Sequence, residues 1–245
     1  MPSTVLYILH NSAWTDDRVA DVVRTRRHQV EFICPPEGDS LPDISCYTAL
    51  IVGGSDEGHA DRPDELSWVA EEIACIRDAV DRGVPVLGLC MGAQLLAAAY
   101  GGKVLPRPDG LTEWGFYPVY PTAEGQDLFA GTSHFNQGHF EGIVALPEEA
   151  ILLARGDHFP VQAFRIGETA YGLQFHPDTK LQTLTREFLD QNHYRHFFGV
   201  QSTDEQLELA QRYESQVQMW TERFVDMWIG AASSETFASS GEGYG

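Results

Sequence analysis

The chain has 245 residues, of which 43% are hydrophobic and 21% are charged, a composition typical of a globular protein with a sizeable core. Its 16 Lys and Arg residues against 36 Asp and Glu residues give a formal charge of −20, which repels phosphate backbones and anionic lipid surfaces. We therefore expect neither nucleic acid nor a membrane among its partners.

The start of the chain has no basic stretch, and the apolar run at residues 5–9 is too short for the core of a signal peptide. A longer uncharged stretch, residues 84–102, has the length of a membrane span. Because Pro85, Gly88 and Gly92 interrupt it, we interpret it as a buried strand, turn and helix. The sequence thus predicts a cytoplasmic protein.

The four cysteines show neither a Cys-x-x-Cys pair nor another spacing typical of metal ligands. They are Cys34, Cys46, Cys75 and Cys90. We therefore predict reduced thiols, no disulfide framework and no metal site.

Strands and helices alternate in the sequence pattern as far as about residue 100. The predicted strands are 5–9, 30–33, 49–52 and 84–89, and the predicted helices are 16–27, 65–82 and one that begins at Met91. This alternation is typical of βαβ units in a parallel sheet that is covered by helices. An α/β core follows.

The middle of the chain changes to short β-like runs separated by Gly, Pro and acidic turns. These runs are residues 115–120, 142–145, 151–154, 161–165 and 170–175. They predict mixed or antiparallel strands that complete the sheet and add a side layer. A helical pattern returns at residues 179–197.

The last predicted helix, residues 204–228, carries an apolar stripe at steps of three and four residues. Its members are Tyr213, Val217, Trp220, Phe224, Met227 and Trp228. The stripe either covers the domain's own core or forms an interface with a second copy or a partner. Residues 231–245 are rich in Ser, Gly and Glu, which predicts a mobile tail.

Residues 84–97 contain the most informative pattern. An apolar strand leads through Gly88, Cys90 and Gly92 directly into a helix, the form of a nucleophile elbow with Cys in place of Ser. The helix N-terminus favours the thiolate, and the backbone N–H of Met91 faces any oxyanion formed by attack. The alternative is a glycine-flanked turn that holds an inert buried Cys.

A nucleophilic Cys needs a base, and His176 is the best placed of the nine histidines. It follows the strand predicted at residues 171–175, at an edge of the sheet where active-site loops gather. Asp178 can accept the other imidazole N–H and fix the tautomer. Judged by residue pattern alone, His139 is an ordinary histidine.

Residues 85–94 (PVLGLCMGAQ) and 172–178 (GLQFHPD) together resemble the class I glutamine amidotransferase family. The resemblance extends to the Gly53-Gly54 pair and covers about residues 4–198. It implies a flavodoxin-like α/β fold, with a mixed, mostly parallel central sheet flanked by helices and extra C-terminal helices. The predicted domain is residues 1–198. Beyond the resemblance, the residue pattern predicts an amphipathic helix at 199–230, packed on the domain or at an interface, and a flexible tail at 231–245.

The resemblance also implies residue roles and no cofactor. Cys90 is the implied nucleophile, His176 the base and Asp178 the acid of a triad, with the N–H groups of Gly54 and Met91 as an oxyanion hole and Gln94 and His139 as substrate-binding residues. The chain departs from the family at Asp178, where Glu is usual, so the contact to His176 is expected to be looser. Residues 14–18 have no counterpart, and we expect them to line the acceptor side.

Three functions remain open at this stage. The first is a glutamine amidotransferase or glutaminase that hydrolyses L-glutamine through a Cys thioester and passes ammonia to a separate synthetase or other acceptor protein. The second is a γ-glutamyl peptidase of the same fold, which proceeds through the same thioester. The third is a non-catalytic regulatory module. A homodimer is compatible with each of them.

Overall fold

The secondary structure follows from a computed structural model that describes residues 3–57, 60, 62 and 65–238, with side chains as far as Gly230. The strands are β1 (Thr4–Ile8), β2 (Gln29–Ile33), β3 (Ala49–Val52), β4 (Val86–Leu89), β5 (Lys103–Pro106), β6 (Glu113–Pro118), β7 (Tyr120–Pro121), β8 (His134–His139), β9 (Glu141–Ala145), β10 (Ile151–Arg155), β11 (Ala163–Ile166) and β12 (Ala170–Leu173). The helices are α1 (Arg18–Thr25), α2 (Ser67–Asp81), α3 (Met91–Ala99), α4 (Arg186–Gln191) and α5 (Thr203–Ala238).

Eight strands form one sheet in the order β2-β1-β3-β4-β12-β11-β10-β7. The neighbours from β2 to β12 are parallel, and β11, β10 and β7 continue the sheet antiparallel. Strands β3 and β4 are buried along their whole length, because helices cover both faces of the parallel part. The predicted mixed, mostly parallel sheet with flanking helices is confirmed.

A side layer of two short sheets, β5 with β9 and β6 with β8, lies beside the main sheet. A bridge between Asn136 of β8 and His176 joins this layer to the end of β12. Strand β12 is in turn paired with β4, with Leu173 opposite Leu89. The loops that follow β4 and β12 therefore meet at one edge of the sheet, beside the β6–β8 hairpin.

The prediction of one helix over residues 179–197 is wrong. Only α4 is α-helical there, with short 3-10 turns at Leu181–Thr183 and His193–His196. The side chain of Thr185 caps the start of α4 by accepting from Phe188 N, and the side chain of Asn192 accepts from Tyr194 N. These local side-chain bonds to the backbone compete with a continuous helix.

Helix α5 packs its apolar stripe on the protein's own core. Trp220, Phe224 and Trp228 are each 1% exposed and belong to the core cluster on one face of the sheet. Met227 is 40% exposed and does not share that face. The helix continues through Ala238, so the segment predicted as a tail begins as helix, while residues 239–245 lie outside the described part.

None of the helices in the described ranges is both long enough and apolar enough to cross a membrane.

Candidate active site

Cys90 occupies a strained turn between β4 and α3. Its φ of 51° and ψ of −106° are unusual for a residue with a side chain, and only 5% of the residue is exposed. A β-carbon on Gly88 would lie 2.4 Å from the carbonyl oxygen of Gly92. The close approach of strand and helix therefore requires glycine on both sides of Cys90, the geometry of a nucleophile elbow.

His176 lies in the loop after β12 and is fixed by its backbone. Its N–H donates to the carbonyl oxygen of Asn136 at 2.8 Å. The imidazole Nδ1 lies 3.2 Å and 3.4 Å from the two carboxylate oxygens of Asp178, a long contact consistent with the short Asp side chain. The backbone carbonyl of Asp178 accepts from the N–H of Arg18 at the start of α1.

Charge determines the protonation of His176. Burial opposes a positive imidazole, but the charges of Asp178 and Cys90 and hydrogen bonds to both outweigh it. Together they hold the pKa of His176 well above its usual value. A raised pKa of this kind favours the imidazolium form of His176.

Gly54 lies against both of these side chains. A β-carbon built on it would be 2.9 Å from Cε1 of His176 and 3.5 Å from Cβ of Cys90. The carbonyl of Gly53 accepts from Gly92 N at 3.1 Å, which fixes the plane of the peptide that carries the Gly54 N–H. Within the described part of the chain, neither the Gly54 N–H nor the Met91 N–H donates to an acceptor.

A cavity of about 310 Å³ opens at Cys90, Gly54 and His176. It extends past Trp14, Asp56, Trp114 and Phe188. Residues of the 14–18 segment contribute to its wall, through Trp14, Asp16 and Asp17. A second cleft of about 550 Å³ between α1 and α5 is lined by none of Cys90, His176 and Asp178.

Asp17 is a buried acid at this cavity that the sequence analysis did not single out as a site residue. Its side chain accepts from Tyr7 OH at 2.5 Å and from Ala20 N at 2.7 Å, and thereby caps α1. Burial, together with the nearby charge of Asp178, raises the pKa of Asp17 to about 7. Asp17 stands near the start of the helix predicted at residues 16–27, and an Asp at a helix start is typical of an N-cap; this was the one available signal.

Gln94 and His139 lie behind the nucleophile rather than in the cavity wall. The Gln94 amide donates to the carbonyl of Glu141 at 3.1 Å and to Gln174 at 3.4 Å. Both ring nitrogens of His139 are engaged, Nδ1 with the Glu141 carbonyl and Nε2 with side-chain oxygens of Gln137 and Glu113. Both side chains are therefore held by buried protein groups beneath Cys90 and do not line the cavity.

Gln174 and Gln137, which the sequence analysis also missed, connect this buried layer to the cavity. Gln174 Nε2 lies 3.8 Å from Cys90 Sγ, and Gln137 lines the cavity and is hydrogen-bonded to Gln162. In the part of the chain that the structure describes, no three His, Cys, Asp or Glu side chains are grouped so as to hold a metal ion.

The family model for glutamine amidotransferase class-I matches residues 17–195, most of the chain. The chain belongs to the class I glutamine amidotransferase family.

Its relatives in this family include enzymes named GMP synthase [glutamine-hydrolyzing]. The Streptomyces avermitilis protein is 35% identical over 123 residues, covering 49% of this chain and 23% of that protein. The Aeropyrum pernix protein is 32% identical over 155 residues, covering 62% of this chain and 28% of that protein. The chain thus spans about a quarter of the length of these curated relatives, 23% and 28%.

Solved glutamine amidotransferase structures share the fold over nearly the whole chain. The protein from Thermotoga maritima superposes with a TM-score of 0.80 at 22% identity, covering 94% of this chain and 99% of that one. The protein from Methylobacillus flagellatus also gives a TM-score of 0.80, at 26% identity and 94% coverage of each chain. The predicted fold class is confirmed by this similarity.

Proposed function

We propose that the protein hydrolyses the side-chain amide of L-glutamine to glutamate and ammonia, and that the ammonia passes to an acceptor on a separate synthetase. The observation that carries this proposal is the meeting of Cys90 and His176 at the ends of paired strands, with Gly54 against both. Family membership and the glutamine-hydrolysing relatives support the choice of substrate.

In the first half of the reaction, the Cys90 thiolate attacks the carboxamide carbon. The N–H groups of Gly54 and Met91 hold the oxyanion of the tetrahedral intermediate. His176 donates its proton to the departing nitrogen, the C–N bond breaks, and ammonia leaves a γ-glutamyl thioester on Cys90.

In the second half, His176 takes a proton from water, which attacks the thioester carbonyl and releases glutamate and the thiolate. Asp178 keeps the ring oriented and stabilises its charge in both halves. Gln94 and His139 are proposed to contribute to substrate binding indirectly. Gln94 holds Gln174 beside Cys90, and His139 holds Gln137 in the cavity wall. The Cys90 thiolate and the protonated His176 are thereby regenerated, and the amide nitrogen has left as ammonia.

A γ-glutamyl peptidase is the second candidate, and the extent of the cavity favours it. The space beyond Gly54 continues to Trp14 and Phe188, which leaves room for a leaving group larger than ammonia. The same thioester serves both reactions, so the leaving-group side of the cavity determines which amide is cleaved.

The experiment measures glutamate release from L-glutamine and from a panel of γ-glutamyl dipeptides. Wild type is compared with Cys90→Ala, and with Cys46→Ala as a control, since Cys46 is exposed and does not line the cavity. Release from glutamine that is lost only in Cys90→Ala supports the proposal. Release from dipeptides alone supports the peptidase, and silence on both, with and without a synthetase, supports the non-catalytic module.

A further inference from the structure

A pair of fully buried side chains outside the triad reaches Gly54, one member through the other. His10 follows β1 and Glu72 lies on α2, and the side chains of both are 0% exposed. His10 Nε2 lies 3.0 Å from a carboxylate oxygen of Glu72, and Nδ1 lies 2.8 Å from the carbonyl oxygen of Gly54. The His10 ring also packs on Trp68 at 5.0 Å between ring centroids.

The chemistry of these contacts fixes which nitrogen of His10 carries hydrogen. The carbonyl of Gly54 can only accept, so Nδ1 must donate. If Glu72 is ionised, it accepts from Nε2 and the ring is an imidazolium. If Glu72 is protonated, it donates to Nε2 and leaves the hydrogen on Nδ1. In both states of the pair, Glu72 maintains the Nδ1 donor that faces Gly54.

Gly54 needs such a partner because glycine has the greatest backbone freedom of any residue. On its amino side, Gly53 is held by bonds to the Ile8 carbonyl and to Gly92 N. On its carboxyl side, the carbonyl of Gly54 is held by the His10 bond. An oxyanion donor works only when it is held in position before the reaction.

We propose that His10 and Glu72 form a positioning pair that holds the peptide on the carboxyl side of Gly54, and that this second hold keeps Gly54 from turning its N–H away from the oxyanion. The pair acts through Gly54 and touches neither substrate nor Cys90. This inference rests on the proposed glutamine hydrolysis, and it assigns the buried pair a role in the rate of the chemical step rather than in substrate binding.

The main test is His10→Phe, which keeps an aromatic ring against Trp68 and removes both nitrogen contacts. We expect kcat for glutamine to fall about 10- to 100-fold, with KM changed less than about threefold. His10→Asn places an amide N–H near the Nδ1 position and should recover at least about tenfold of that loss. Glu72→Leu removes the partner of Nε2 but leaves a ring that can still donate from Nδ1, so it should lower kcat less than His10→Phe, and Glu72→Gln should be milder still.

A second measurement separates positioning from loss of structure. Alkylation of Cys90 by iodoacetamide displaces iodide and forms no oxyanion, so its rate reports the thiolate and its surroundings alone. We expect this rate to stay within about twofold of wild type in His10→Phe, while glutamine turnover falls. His28→Phe, far from the cavity, is the matched control and should change neither rate.

Three outcomes would overturn the inference. Unchanged kcat in His10→Phe would show that the pair has no part in the reaction, with the proposed function intact. An equal fall in alkylation and turnover would assign the pair to stability alone. A wild type inactive on glutamine and on γ-glutamyl dipeptides would remove the proposed function and this inference with it.

Discussion

The β-carbon that Gly92 lacks would lie 2.1 Å from the backbone carbonyl oxygen of Val52. Strand β3 and the first turn of α3 therefore touch backbone to backbone. The turn that carries Cys90 is held between two strands in this way, which restricts the positions that the thiol can take.

Gly92→Ala is expected to destabilise the protein by about 2 to 3 kcal/mol, because backbone atoms on both sides must move apart. Urea unfolding followed by tryptophan fluorescence measures this change. Gly230→Ala is the control, since no heavy atom lies within 4 Å of its missing β-carbon. Alanine in that helix should be neutral or stabilising by up to about 1 kcal/mol. Equal stability of the two variants would contradict the close approach.

Gly54→Ala is expected to lower kcat about 100-fold with little loss of stability, because the new methyl group would displace the His176 ring. Steady-state glutamine hydrolysis measures the effect. Gly138 offers a matched comparison, since its β-carbon would meet the same ring at an ordinary 3.8 Å. Gly138→Ala should therefore lose much less activity. Similar losses in both variants would show that the close contact between Gly54 and the His176 ring does not limit activity.

Asp178→Asn is expected to lower kcat/KM about 100- to 10,000-fold, because the imidazolium loses its charge partner. The pKa of His176, followed by NMR titration, should fall toward 6.5. A group whose pKa is raised by folding stabilises the protein at any pH below its pKa in the unfolded chain. This stabilisation is lost as the pH rises through the pKa of the folded protein. The stability difference between wild type and variant should thus be largest near pH 6 and shrink at alkaline pH. An unaltered His176 pKa would exclude this role for Asp178.

Asp17→Asn is expected to change how stability depends on pH. Because folding raises the pKa of Asp17 from 3.8 to about 7, the wild type loses unfolding free energy as the pH rises through that interval. Asn can keep the contacts to Tyr7 and Ala20 without a buried charge. The variant should therefore be more stable at pH 8, by about 2 kcal/mol, in urea titrations from pH 4 to pH 8.

The neighbouring Asp16 should show the opposite dependence of stability on pH. Hydrogen bonds from Lys180 and Gln182 lower its pKa, so its contribution is present above pH 3.8 and is lost as the pH falls. Asp16→Asn should not gain stability at pH 8. A gain in both variants would attribute the effect to net charge rather than to the burial of Asp17.

Local pattern was sufficient to predict the elbow and the sheet. Continuous apolar strands and a glycine-flanked Cys90 need no knowledge of distant residues, and His176 stands directly after such a strand. Strand β8 escaped prediction because Gln137 and His139 occupy buried positions where alternation calls for apolar residues. The pairs Tyr7–Asp17 and His10–Glu72 could not be predicted, because their members come together only in the tertiary fold and no periodic sequence pattern relates them.

Strand β12 lies between β4 and β11, although residues 90–169 separate β4 from β12 in the chain. Ribosomal synthesis therefore completes the half of the sheet that carries Cys90 before the strand that leads to His176 exists. A nascent chain has Cys90 without His176, and such a thiol has no imidazolium to stabilise its thiolate. Since distant pairing is slow compared with local helix formation, recovery of hydrolysis during refolding reports the insertion of β12 rather than the return of secondary structure.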